Sequence, residues 1–305
     1  MILPIAMITI LLCIVLLSVI AIFFFTPADR KVLLQRPQII TVDGNERTYR
    51  TYLPKDFDSR KEYLVVIGLH ELGGSGRRLG YYSAFQNIAD REQFIVVYPD
   101  ALKAKPYRNG WNAEVCCGSG WKKNFDDEGF IVKLIEKLNN DYNIPNDKVF
   151  LTGMSNGAVM TYKLASHHPE LFAGVVGVAG STGTKTKSFT QTSPVPILLI
   201  HGQKDEVVSY SGDRQYEGID WHSFAETKND WISANECDPS TVEITKRADR
   251  IEEVYKNCKA PLKVIEFKEK GHEWPDWRIL NFWNKYPEGT QIIWDFFSQQ
   301  KQALL

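Results

Sequence analysis

The sequence predicts an α/β fold: a mostly parallel, doubly wound sheet with helices on both faces, preceded by an N-terminal transmembrane segment. Three observations lead there. Short apolar runs rich in β-branched residues alternate with stretches of helical periodicity from residue 64 onward. One such run, Val149-Phe150-Leu151, passes into a helical pattern through Gly153-Met154-Ser155-Asn156-Gly157, which reads as a sharp strand-to-helix turn. Residues Met1 to Phe25 carry no charged side chain, and about 25 residues at roughly 1.5 Å each would cross a hydrocarbon core about 30 Å thick.

In chain order, residues 1–26 are the apolar anchor or signal segment. The length of the run and the lack of a basic n-region favour an uncleaved anchor; a cleaved signal peptide is the alternative, because Thr26-Pro27-Ala28 ends in small residues. Arg30, Lys31 and Arg36 follow in a linker over 27–37, and with nothing basic ahead of the span they favour a cytoplasmic domain. Ile39 to Val42 and Arg47 to Leu53 flank Asp43-Gly44, the turn signal of a β-hairpin. The runs 64–69, 94–98, 148–151, 173–178, 196–200 and 262–267 read as buried parallel strands. Helices are expected over 81–91, 128–141, 156–167 and 289–302; in the second, Phe130, Ile131, Leu134, Ile135 and Leu138 share a face behind a cap at Asp126 or Asp127. The polar, Trp-containing stretch 210–261 is too long for a plain loop and reads as an insertion with one or two helices. No repeat or low-complexity linker divides residues 38–305, so they form one domain.

Composition narrows the function classes. With 305 residues and 44% hydrophobic content the chain can bury a sizeable core. Its 36 basic and 37 acidic residues are interspersed and give a net charge of −1, which leaves no basic stripe for nucleic acid. Of the cysteines, Cys13 is a small apolar residue of the N-terminal segment, Cys116 and Cys117 are adjacent, and Cys237 and Cys258 flank a helical stretch. Adjacent cysteines rarely satisfy one tetrahedral site and no histidine has finger spacing, so neither a metal nor another cofactor is expected.

The chemistry is read from strand ends. A serine on a strand-to-helix elbow stands clear of its neighbours, which makes Ser155 a candidate nucleophile and Asn156 a candidate backbone donor to an oxyanion. A nucleophilic serine needs a base, and the base an orienting carboxylate. Asp205 follows the strand 196–200 and His272 follows the strand ending at Phe267, so both belong at the carboxyl edge of the sheet with Ser155. Asp213 and Asp220 are the competing acids, while His201 reads as a turn-shaping residue and His167, His168 and His222 as surface or helix-end histidines. The order Ser155, Asp205, His272 is that of α/β-hydrolases rather than of chymotrypsin-like or subtilisin-like enzymes. The second oxyanion donor must come from the loop His70-Glu71-Leu72-Gly73-Gly74-Ser75-Gly76. That loop lacks the lysine of a phosphate-binding loop, because Arg77 and Arg78 follow Gly76.

Across residues 64–277 the chain resembles the polyhydroxybutyrate depolymerase and feruloyl esterase-like family of α/β-hydrolases. The likeness lies in the 70–76 loop, in Trp111-Asn112-Ala113 with Cys116-Cys117-Gly118, and in Asp126 to Phe130. It continues through the elbow, His201-Gly202 to Asp205, Asn235 to Cys237 with Cys258, and His272 with Trp274-Pro275. The resemblance implies a serine ester hydrolase with Ser155, Asp205 and His272 as triad, Leu72 as second oxyanion donor, and a Cys237–Cys258 bridge. A bridge of that kind implies an extracytoplasmic domain, anchored through residues 1–26 or secreted if they are removed. It implies an ester partner: polyhydroxybutyrate-type oligomers, feruloyl or acetyl esters, or small soluble esters. His70, Trp111 and Trp274 are the expected substrate-binding residues; Trp121 and Trp277 could join Trp111 and Trp274 in an aromatic rim but fit the core better. Glu71 stands where the family usually has glycine, Glu128 where it has an apolar residue, and Glu269-Lys270 where glycines are common. Two competing readings are a serine peptidase of the same fold and a catalytically silent anchored binding module.

Overall fold

The computed structural model describes residues 26–188, 193–276 and 287–303. The expected membrane segment lies outside them, and among the described residues no helix is long and apolar enough to cross a membrane. The first described element is helix α1, Pro27–Leu34, where a linker was expected. Thr26 and Asp29 form a capping box with Pro27 at the first helical position, which is a strong local start signal. Ala28, Asp29 and Val32 are buried, and Asp29 accepts a hydrogen bond from Gln86 Nε2 at 2.7 Å, so the helix belongs to the domain.

The main sheet has ten strands. In chain order they are β1 (Gln38–Val42), β2 (Asn45–Tyr52), β3 (Val65–Leu69), β4 (Ile95–Pro99), β5 (Val149–Met154), β6 (Gly174–Val178), β9 (Ile197–Gly202), β12 (Val242–Lys246), β13 (Arg250–Tyr255) and β14 (Leu262–Phe267); β7 (Gly183–Thr184) pairs with β8 (Lys187–Ser188), and β10 (Gln215–Tyr216) with β11 (Ile219–Asp220). The spatial order is β1-β2-β4-β3-β5-β6-β9-β14-β13-β12. The central six are parallel, and each edge ends in antiparallel strands. All six expected parallel strands are present, and the Asp43-Gly44 turn joins β1 to β2 with positive φ at both residues. Alternation along the strands divides the core. Ile67, Val97, Leu151 and Leu199 face one apolar cluster, while Val66, Val96, Phe150 and Leu198 face the other.

Helices cover both faces. α5 (Asp127–Tyr142) and α6 (Asn156–His167) pack into the first cluster through residues such as Leu134 and Met160. α2 (Gly76–Ser83), α3 (Phe85–Glu92) and the C-terminal α8 (Glu288–Ala303) pack into the second through Leu79, Ile88 and Phe297. The helix expected over 81–91 is thus two helices. Ala84 turns left-handed between them (φ 54°), and the carbonyl of Ser83 is satisfied by the Thr290 hydroxyl at 2.6 Å, a partner 207 residues away in sequence. A short α4 (Gly118–Lys123) was not anticipated.

The stretch 210–261 holds one helix, α7 (Phe224–Ala234), with a Ser223/Glu226 capping box, but it also holds four strands. β12 and β13 occupy the segment between Cys237 and Cys258 that was read as helical, and they extend the main sheet. The edge strand β12 is mostly exposed and β13 carries the charged residues Arg250, Glu252 and Glu253, and that polarity hides both from a search for apolar runs.

Candidate active site

Because β3, β5, β9 and β14 are parallel, the loops that follow them gather at one edge. Ser155 bridges β5 and α6 with φ 56° and ψ −124°, a conformation that costs a non-glycine residue about 1–3 kcal/mol. It is held by its N–H donating to Val178 O and its carbonyl accepting from Val159 N, each at 2.9 Å. The approach of α6 to β3 depends on Gly157, where a Cβ would stand 2.2 Å from Leu69 O.

His272 reaches Ser155 from the loop after β14, with Nε2 2.8 Å from Ser155 Oγ and Nδ1 2.8 Å from Asp205 Oδ2. A carboxylate only accepts, so Nδ1 carries the proton and Nε2 receives the serine hydroxyl. Gly202 lets the loop carrying His272 lie against the end of β9; a Cβ there would be 2.3 Å from Lys270 O, and Lys204 N donates to that same oxygen at 2.9 Å. Asp205 Oδ1 accepts from the N–H groups of Val207 and Val208 at 2.9 and 3.0 Å. Burial opposes ionisation of Asp205, but hydrogen bonds from His201 and His272 outweigh it and hold the carboxyl well below the usual carboxylate range. The expected trio is therefore together. The competing acids lie elsewhere: Asp213 accepts from Ser209 and Ser211, and Asp220 from Gln215.

The backbone N–H groups of Leu72 and Asn156 have no hydrogen-bond partner among the described residues, and both residues line the cleft beside Ser155. The Asn156 side chain fixes the elbow to the neighbouring loop, accepting from Trp111 N at 2.6 Å and donating to Trp111 O at 3.2 Å. Glu71 has no positive φ, so its backbone does not need the freedom of glycine. Its carboxylate accepts from the Tyr82 hydroxyl at 2.8 Å and pairs with Arg78 at 3.2 Å.

The cleft over Ser155 has a volume of about 210 Å³. Its walls correct the expected substrate contacts. His70, Trp111 and Trp274 are fully buried and do not line it. His70 accepts from Ala101 N at 3.0 Å, Trp111 Nε1 donates to His70 O at 2.9 Å, and Trp274 Nε1 donates to Thr290 Oγ1 at 2.9 Å. These are core residues that brace the loops. Trp121, read as a core residue, is 38% exposed in a neighbouring groove, and Trp277 lies outside the described residues. The aromatic wall comes instead from Tyr82, Tyr216 and Trp221. Tyr216 and Trp221 flank the turn Glu217-Gly218, a signal legible in sequence though not read as part of the site.

Cys237 is bridged to Cys258, and Cys116 to Cys117; the latter pair lines the cleft. Glu114, Glu128 and His167 form the one group among the described residues with metal-like spacing. Lys163 already pairs with both carboxylates at 3.2 and 3.0 Å, and Lys187 with Glu114 at 3.1 Å, so their charge is compensated. Burial works against ionised Glu128, yet the Lys163, His168 and His167 contacts outweigh it and bring its pKa down to about 2.

Residues 57–219, more than half the chain, match the phospholipase/carboxylesterase family. The chain belongs to that family. This member of the phospholipase/carboxylesterase family is thus a carboxylic ester hydrolase. It is 26% identical over 199 residues to the Nocardia uniformis subsp. tsuyamanensis protein named as the esterase NocK, a match spanning 64% of this chain and 56% of that one. It is 26% identical over 263 residues to an Aspergillus terreus protein named as a feruloyl esterase C, spanning 83% and 84%. In fold it is similar to an acetyl xylan esterase from Aspergillus awamori (TM-score 0.62, 18% identity, covering 87% of this chain and 99% of that one).

Proposed function

We propose that the chain is a serine carboxylic-ester hydrolase that works through an acyl-enzyme. The observation that carries this reading is the unbroken hydrogen-bond chain from Ser155 Oγ through His272 to the buried Asp205 carboxylate, with both links at 2.8 Å. Ser155 Oγ attacks the acyl carbon while its proton passes to His272 Nε2. The carbonyl oxygen becomes an oxyanion received by the N–H groups of Leu72 and Asn156. Collapse breaks the bond to the alcohol oxygen, which takes the proton from His272. Water, deprotonated by His272, then attacks the acyl-enzyme; the second collapse returns the proton to Ser155 Oγ and frees the acid.

The acyl groups assigned here run from acetyl to hydroxycinnamoyl. A cleft of about 210 Å³ is smaller than sites that enclose whole drug-sized ligands, and its wall of Tyr82, Tyr216 and Trp221 suits a planar acyl group. The feruloyl esterase named among the relatives acts, by that name, on such an ester. Residues 1–26 anchor or target a catalytic domain that begins at α1, and the two cystine bridges favour an extracytoplasmic setting.

The test is hydrolysis of p-nitrophenyl acetate by Ser155→Ala and His272→Ala. Each variant should keep its fold and lose activity by about 10⁴-fold or more. Near-normal turnover in either folded variant would remove that residue from the mechanism.

A further inference from the structure

We propose that His201 is a positioning residue that fixes the Asp205 carboxylate for His272. The proposal rests on the serine-hydrolase reading above and adds a fourth side chain to it. His201 lies near the end of β9 and is only 2% exposed. Its Nε2 is 2.9 Å from Val208 O and 3.2 Å from Asp205 Oδ2. Oδ2 is the same oxygen that receives the His272 Nδ1 proton at 2.8 Å. Two imidazoles therefore converge on one carboxylate oxygen.

The tautomer follows from the acceptors. Val208 O and the carboxylate can only accept, so Nε2 of His201 bears the hydrogen; it donates to Val208 O, and Asp205 Oδ2 lies 3.2 Å from the same nitrogen. Its Nδ1 is buried without a hydrogen-bond partner among the described residues, as an unprotonated ring nitrogen in an apolar setting would be. The ring is held by Phe224, with centroids 4.8 Å apart, and Tyr210, at 6.1 Å. Asp205 and Tyr210 are the titratable groups against it, and the Tyr210 hydroxyl is turned away to Glu266. Val207 and Val208 N–H groups hold Oδ1 by hydrogen bonds, and the His201 Nε2–H group, donating to Val208 O, sets its positive end 3.2 Å from Oδ2. An outer partner of this kind sets both the orientation and the basicity of the group that it touches.

Loss of this donor would leave Oδ2 a stronger acceptor for the His272 proton. The protonated imidazole is then favoured, the free base is lost at higher pH, and the acidic limb of kcat/KM moves upward. His201→Phe keeps the ring's bulk and removes the donor; His201→Gln keeps a donor at about the same reach. The Phe variant should lose about tenfold in kcat with KM little changed and show the shifted acidic limb, while the Gln variant stays within about threefold of wild type with the original limb. Equal behaviour of the two, or a wild-type profile in the Phe variant, would overturn the proposal while leaving the triad standing. Should neither variant fold, ¹⁵N spectra of histidine-labelled wild-type protein decide. His201 must carry its hydrogen on Nε2, and an Nδ1–H tautomer would rule the role out.

Discussion

Gly157→Ala is the substitution that most directly probes how the elbow is built. The added methyl would sit 2.2 Å from Leu69 O and 2.6 Å from His70 O, and both obstacles are backbone. An ordinary contact needs about 3.4 Å, so α6 and the end of β3 must separate by roughly 1 Å. The two sides carry Asn156 and, two residues beyond His70, Leu72. Their N–H groups are the proposed oxyanion donors, and a displacement of about 1 Å in such a pair costs on the order of 10²-fold in rate. Overpacking should also lower stability by about 1–3 kcal/mol. Gly174→Ala is the control, since the nearest atom to a Cβ there is 3.4 Å away. Thermal melts and p-nitrophenyl acetate kinetics on both variants check the argument. If folded Gly157→Ala retains wild-type kcat, the tight approach of α6 to β3 is not what aligns the donors.

Three further outcomes follow from the same geometry. Glu71→Gln keeps an acceptor for Tyr82 but removes a negative charge beside the proposed oxyanion position; kcat should hold or rise by less than about fivefold, and a tenfold loss in a folded variant would assign the carboxylate a positive role. Glu128 has its folded pKa lowered to about 2, so its stabilisation is present above pH 4.5 and is lost as pH falls toward 2. Glu128→Gln should melt below wild type at pH 7, with the gap narrowing below pH 4.5 and closing only toward pH 2; a gap constant from pH 7 to pH 2 would contradict the pairing with Lys163. The bridge between Cys237 and Cys258, 21 residues apart, should contribute about 3 kcal/mol by closing its loop in the unfolded chain. Cys237→Ala/Cys258→Ala should therefore lower Tm by several degrees, and an unchanged Tm would refute that estimate.

The parallel strands were legible because continuous runs such as Val65–Leu69 and Ile197–Ile200 are buried on both faces. The helix 156–167 was legible because the elbow marks its start. Ser155 was legible from the glycine-flanked elbow, and Asp205 and His272 from their places after strand ends and from the chain order. What failed depended on distant partners or on side-chain direction. Ala84 breaks a helix whose last carbonyl is met by Thr290, and no local signal announces that contact. Trp111 lies in a motif of the resemblance and Trp274 two residues after His272, but their indole N–H groups point to partners inside the protein. The α1 capping box was legible, yet it was overshadowed by the apolar segment directly before it.

The central claim is that Ser155 is an activated nucleophile, and a fluorophosphonate probe reacts with such a serine. Peptide mapping of the treated full-length protein should place one adduct on Ser155, formed fast in wild type and absent from His272→Ala on the same timescale. Absence of an adduct from active wild-type protein, or an adduct on another residue with Ser155 unmodified, would contradict the account.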